Sequence, residues 1–216
     1  MMTYLDIVNN VLVRLREREV ASVNENAYSK LIGQLVQDAN QEVENAWDWS
    51  ALRTTLSATT SSGVFSYELN TAGRSFEILN VINDTSNDFM EYRTSREFDN
   101  WYLNNTPASG APKYFSWNGV ANDGDVQVDI YPKPDGVYTL RFNMIKRSEE
   151  LTSDAQNIIV PEKPVQLLAY AKAVDERGED GGQAAASAYN TASRALSDAI
   201  ALDGARHPEE LIFAPV

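Results

Sequence analysis

The stretch that most constrains this chain runs from Glu25 to Ser50, ENAYSKLIGQLVQDANQEVENAWDWS. Tyr28, Leu31, Ile32, Leu35, Val36, Ala39, Val43, Ala46 and Trp47 recur at spacings of three and four, which is one apolar stripe on a helix of 3.6 residues per turn. Lys30, Gln34, Gln37, Asp38, Gln41, Glu42 and Glu44 fall between them and are expected to face water. A helix with one apolar stripe has to bury it against other elements, so the rest of the chain must supply that partner. After Trp47-Asp48-Trp49 the texture changes to that of strands.

A first helix precedes this one. Thr3 and Asp6 have the spacing of a capping box, with Asp in place of the usual Glu. Leu5, Val8, Val11, Leu12 and Leu15 form its stripe, and Ala21 to Asn26 reads as a turn with a new N-cap. Two helices with a short link are expected to pack as an antiparallel hairpin. From Leu52 to about residue 145, seven stretches read as strands: 52–60, 64–69, 76–84, 88–94, 113–119, 126–132 and 137–145. Turn signals separate them at Ser61-Ser62-Gly63, near Gly73, at Thr85-Ser86-Asn87 and at Pro134-Asp135-Gly136. Ser95 can cap a short helix running to Leu103, and 104–112 is a long loop. In the last strand Tyr138, Leu140, Phe142 and Met144 share one face. This pattern predicts an antiparallel sandwich or small barrel.

Helical texture returns after Pro161, breaks at Gly178 and at Gly181-Gly182, and resumes as an alanine-rich helix from Gln183 to Asp203. Neither helical pair is large enough to be stable alone. The expected fold is therefore α+β: a four-helix bundle with an antiparallel β-sandwich or barrel-like domain inserted between its second and third helices, and an extended C-terminal tail. The boundaries are 1–51 for the first two bundle helices, 52–150 for the β domain, 151–204 for the last two helices and 205–216 for the tail. Trp47, Trp49 and Leu52 are expected at the junction of bundle and β domain.

The chemistry excluded is informative. The sequence contains no cysteine, so disulfides, thiolate metal sites and cysteine nucleophiles are absent. Its one histidine, His207, lies in the tail, away from any rigid scaffold that a catalytic triad requires. No phosphate-binding glycine loop is present. Asn122-Asp123-Gly124-Asp125 has a fragment of a calcium-loop pattern but lacks its distal Glu, and is read as a β-turn. Asp175, Glu176, Glu179 and Asp180 are read as a solvated helix end. No catalytic residue, metal or cofactor is expected. The net charge of −13, without any basic tract, argues against phosphate-driven nucleic-acid binding. No apolar run is long enough for a membrane span and no signal peptide is recognisable. The tryptophans, with scattered carboxylates, leave a carbohydrate-binding or wall-degrading module as the alternative.

Five segments in order, Tyr4–Leu15 (YLDIVNNVLVRL), Leu31–Arg53, Ile130–Gly136 (IYPKPDG), Val160–Gly182 and Ala188–Ile200 (AYNTASRALSDAI), resemble the head-to-tail adaptor, or connector, proteins of tailed bacteriophages. The resemblance covers nearly the whole chain and identifies a scaffold rather than a reaction. It implies a non-catalytic virion protein of the neck and tail, assembled in the host cytoplasm. It further implies a closed homo-oligomeric ring of about twelve copies joining the portal protein to tail nozzle or tube proteins. Genomic DNA would pass through on ejection without specific binding, and no membrane would be involved. The family habit of reaching into the portal with the C-terminus implies a portal-binding arm with His207, Pro208, Leu211, Ile212 and Phe213. Leu211, Ile212 and Phe213 would be its anchors.

Overall fold

The computed structural model describes residues 1–71, 75–104, 107–178 and 182–206. The chain divides into two compact units. One combines Met1–Ala51 with the chain from Glu149 onward, and the other is Leu52–Ser148.

In the first unit, α1 spans Tyr4–Arg14, α2 Ala27–Ala46, α4 Glu162–Arg177 and α5 Gln183–Gly204; α3 belongs to the second unit. The capping box at Thr3 is present in full. The Asp6 N–H donates to Thr3 Oγ1 at 3.2 Å, and the Thr3 N–H donates to Asp6 Oδ2 at 2.9 Å. The next two donors of that helix end find partners far downstream. The Tyr4 N–H donates to the Gln156 carbonyl at 2.8 Å and the Leu5 N–H to that of Asp154 at 3.2 Å. The Ile158 N–H donates back to the Met2 carbonyl, and Thr3 bridges Asn157 in antiparallel fashion. Helix ends leave such groups unsatisfied; here the returning chain satisfies them.

The second helix is shorter than its periodicity implied. Asn26 caps it through a reciprocal pair with Ser29, and Trp47 leaves it in an extended conformation. Ile32, Val36, Ala39 and Val43 are fully buried. Two expectations fail. Trp47, placed on the stripe, is 37% exposed because the helix has ended, and Glu44, expected in water, is 3% exposed. Asn40, one turn earlier and also buried, donates to Glu44 Oε1 at 2.8 Å, which offsets part of the desolvation.

Helix α4 is the hub of the four helices described in this unit. Helix α4 packs on α1, α2 and α5, while the extensive partner of α5 is α4 alone. Alanines make α4 suited to be the hub: Ala169, Ala171 and Ala173 are buried on it, and small side chains let neighbours approach closely. Gly178, left-handed at φ 64°, ends α4.

The second unit is one seven-stranded sheet in the order β1-β7-β3-β4-β5-β6-β2. Its strands are β1 Arg53–Thr59, β2 Ser66–Leu69, β3 Phe76–Asn83, β4 Asp88–Tyr92, β5 Tyr114–Val120, β6 Val126–Tyr131 and β7 Thr139–Lys146. Of the two expected forms, sandwich or small barrel, the sheet takes the second: it is one nearly closed, barrel-like sheet. It is not wholly antiparallel, since β4 runs parallel to β5. The physical reason is α3 (Ser95–Asn104), which crosses between β4 and β5 and brings the chain back in the same direction. Leu69, Val81, Met90, Phe115, Val128, Ile130, Leu140, Phe142 and Met144 fill the interior, as the alternation in the last strand required.

Gly33 shows how tightly α2 sits. A Cβ there would lie 2.5 Å from Val23 Cγ1 and 2.6 Å from the Tyr4 hydroxyl. Alanine gains about 1 kcal/mol over glycine in a helix interior, yet overpacking costs about 1–3 kcal/mol. Gly33→Ala is therefore expected to lower stability in urea unfolding, whereas Gly136→Ala, with nothing within 4 Å of its added carbon, is expected to be near neutral.

Candidate functional site

The region that the sequence singled out at the end of α2 is built as follows. Trp49 is 1% exposed, and its indole N–H donates to the Val43 carbonyl at 2.7 Å. That carbonyl lies in the last turn of α2, where intrahelical donors run out. Ser50 opens a short 3-10 turn, Ser50–Leu52, and Leu52, 4% exposed, begins the sheet unit. Trp47, Trp49 and Leu52 thus lie on the connecting chain but in different settings: one partly exposed, one locked to its own helix, one at the end of the 3-10 turn just before β1.

The decisive side chain here is Asp203, in the last turn of α5 and 6% exposed. Its Oδ2 accepts the Ser50 N–H at 3.0 Å, and its Oδ1 accepts the Ser50 hydroxyl. Arg206 Nη1 stands 3.9 Å from the same carboxylate, and the Arg206 N–H donates to the Asp203 carbonyl. The end of the first segment and the end of the last helix are thereby held together. Sequence reasoning passed over this pair. The signal was an acidic residue in the last turn of a helix, where the macrodipole disfavours it and another partner must compensate.

Two more side-chain ties hold the helical unit. Arg177, in the last turn of α4, donates to Glu17 at 2.6 Å and to the Tyr28 hydroxyl at 2.9 Å, over whose ring its guanidinium lies. Lys172 pairs with Glu42 at 2.6 Å. Beside that pair, a cavity of about 260 Å³ opens between α2, α4 and α5, lined by Val43, Pro164, Leu168, Tyr189 and Leu196 among others. Burial, followed by the charge of Asp175, raises the Tyr189 hydroxyl above its ordinary pKa, so it stays neutral. The cavity is mainly apolar, with Glu42 and Ser193 among its lining.

The remaining tryptophans are packed. Trp101 lies 4.6 Å from the Tyr131 ring and 5.3 Å from that of Tyr114, and Trp117 contacts Phe76 and Phe115. Asn122-Asp123-Gly124-Asp125 is a turn, with the Gly124 N–H donating to the Ala121 carbonyl and Gly124 at φ 89°. Of the acidic group on α4, Asp175 and Glu176 are described; Glu179 and Asp180 lie outside the described residues. So do His207, Pro208, Leu211, Ile212 and Phe213. Among the described residues no group of three His, Cys, Asp or Glu is placed to hold a metal ion, and no helix is long and apolar enough to cross a membrane.

Residues 2–211 match the family described as SU10 adaptor protein. The chain belongs to that family of phage head-to-tail adaptors. Curated proteins provide no match to the sequence. Membership makes the chain a structural adaptor of the virion that interacts with other head or tail proteins of the phage.

Removing the Asp203 carboxylate leaves the Ser50 donors without their acceptor. Asp203→Ala is expected to cost the adaptor about 1–3 kcal/mol in urea unfolding. Ser50→Ala, which keeps the backbone donor, is expected to cost less.

Proposed function

We propose that this adaptor is a non-catalytic ring component of the phage neck. About twelve copies close a ring under the portal, the heterologous contact between copies repeating until it closes. The ring joins the portal at the capsid vertex to the tail nozzle or tube and lets the genome pass during ejection. Within each copy the four helices act as a bundle and the sheet unit as an insertion between the second and third. Trp47, Trp49 and Leu52 are the junction. Residues 205–216 are the arm that meets the portal, with Leu211, Ile212 and Phe213 buried on binding and His207 and Pro208 at its base. The single observation that carries this reading is the family match across residues 2–211.

Two further observations support it. The root of the arm is fixed, because Asp203 ties the end of α5 to Ser50. The net charge of −13 suits a conduit, since like charge keeps a phosphate backbone from adhering to a wall.

Electron microscopy of the full chain mixed with the portal protein of the same phage tests the assignment. Closed rings seated on the portal are expected; a chain that stays monomeric beside an intact portal contradicts it. A chain ending at Arg206 is expected to melt like the full chain and yet fail to bind the portal. Unchanged binding by that truncation removes the arm from the account.

A further inference from the structure

Strands β2, β6 and β5 present an outer face with an unusual polar furrow. Along these strands Tyr67, Phe115, Val128 and Ile130 pack in the interior. Side chains alternate along a strand, so Ser66, Glu68, Ser116, Gln127 and Asp129 take the outer face. The register sets Asp129 between Ser66 on one side and Ser116 on the other. One step along, Glu68 stands opposite Gln127, with the Gln127 amide 3.4 Å from Glu68 Oε1.

Helix α3 roofs one end of this face. Phe98 and Trp101 lie against Tyr131, and Tyr102 against both Tyr131 and Phe65. Beside that aromatic wall two polar atoms are buried without a partner: Asp129 Oδ1 and the hydroxyl of Ser116. Ser116 is 2% exposed. Buried polar groups are nearly always paired, and each exception calls for an explanation. The Tyr102 hydroxyl does not serve Asp129, because it donates to the Ile130 carbonyl at 3.1 Å. Burial, and then the Asp129 and Tyr131 charges, push that hydroxyl well above its ordinary pKa, so it adds no charge of its own.

Next along the same face, Glu68 and Gln127 line a cavity of about 460 Å³ with Asp123, Asn122 and the 120–121 segment. The face and this cavity together carry three carboxylates, Asp129, Glu68 and Asp123. Among the described residues none of the three is in an ion pair. An aromatic wall, an unpartnered buried carboxylate oxygen, an unpartnered buried hydroxyl and a wide acidic exit complement one kind of group. A guanidinium offers several donors in a planar fork and also favours aromatic faces.

We propose that this furrow is a docking site for a basic, extended segment of a partner protein. One arginine of the segment donates to Asp129 Oδ1 and to Ser116 Oγ against the rings of Tyr102 and Tyr131, and a following cation faces Glu68 and Asp123. The site is independent of the portal-binding arm.

Titration calorimetry of the full chain at low ionic strength, with the peptide acetyl-Gly-Arg-Gly-Arg-Gly-amide as probe, tests this. One peptide is expected to bind per chain. Asp129→Asn is expected to weaken binding at least about thirtyfold, as truncating one member of a buried charge pair does, and Ser116→Ala to weaken it less. Asp88→Asn, which makes the same charge change on an exposed residue of the same unit, is expected to leave it unchanged. Asp129→Asn is also expected to melt no lower than the parent, because no native contact is lost. Equal binding by parent and Asp129→Asn overturns the proposal, as does an equal loss with Asp88→Asn or a lowered melting temperature of Asp129→Asn. Spermidine binding as tightly as the peptide overturns the assignment to a protein segment.

Discussion

The helical unit depends on one exchange between distant parts of the chain. The first turn of α1 has donors that no residue of α1 can satisfy, and residues 154–158 satisfy them. Asp154 accepts one of them, the Leu5 N–H, through its carbonyl, and its carboxylate also accepts the Val23 N–H from the link between α1 and α2. The same returning segment buries Ile158 and Val160 and leads into α4, the helix on which the other three pack. A short isolated helix such as α1 is marginal in water. Its stability is therefore a property of the whole unit, bought by a loop that has to close across the entire sheet.

That closure is less costly than its length suggests. The entropy of joining two chain ends grows only with the logarithm of the intervening length, and a folded sheet shortens the effective loop further. Asp203 and Ser50 then tie the unit a second time, at its opposite sequence ends, and Arg177 a third. Each tie pairs a residue before the sheet with one after it. The arrangement is that of a scaffold with several cross-links rather than of a catalytic cleft, in keeping with membership of an adaptor family.

Much of this was legible in the sequence, and the failures have physical causes. Helix and strand periods, the Thr3–Asp6 box and the Gly178 stop are local, and each fell within a few residues of its expected place. The face of Leu140, Phe142 and Met144 was read correctly because alternation in a half-buried strand is strict. The end of α2 was misjudged because Trp47 and Trp49 continue the apolar pattern while the backbone has already turned extended. The sheet was expected to be wholly antiparallel; pairing partners are non-local, and nothing in Asp88–Tyr92 announces that it runs parallel to Tyr114–Val120. Glu44 and Asp203 were missed for one reason: a charged residue in an amphipathic stretch reads as solvated until its buried partner is known. The arm from His207 onward is argued from family likeness and composition alone.

Native-state amide exchange tests the dependence of α1 on the returning chain most directly. The Tyr4 and Leu5 amides are expected to exchange with the free energy of opening of the Val43 and Ala169 amides, as members of one cooperative unit. Exchange of Tyr4 and Leu5 at the rate of a frayed helix end, with Val43 and Ala169 still protected, would contradict the account.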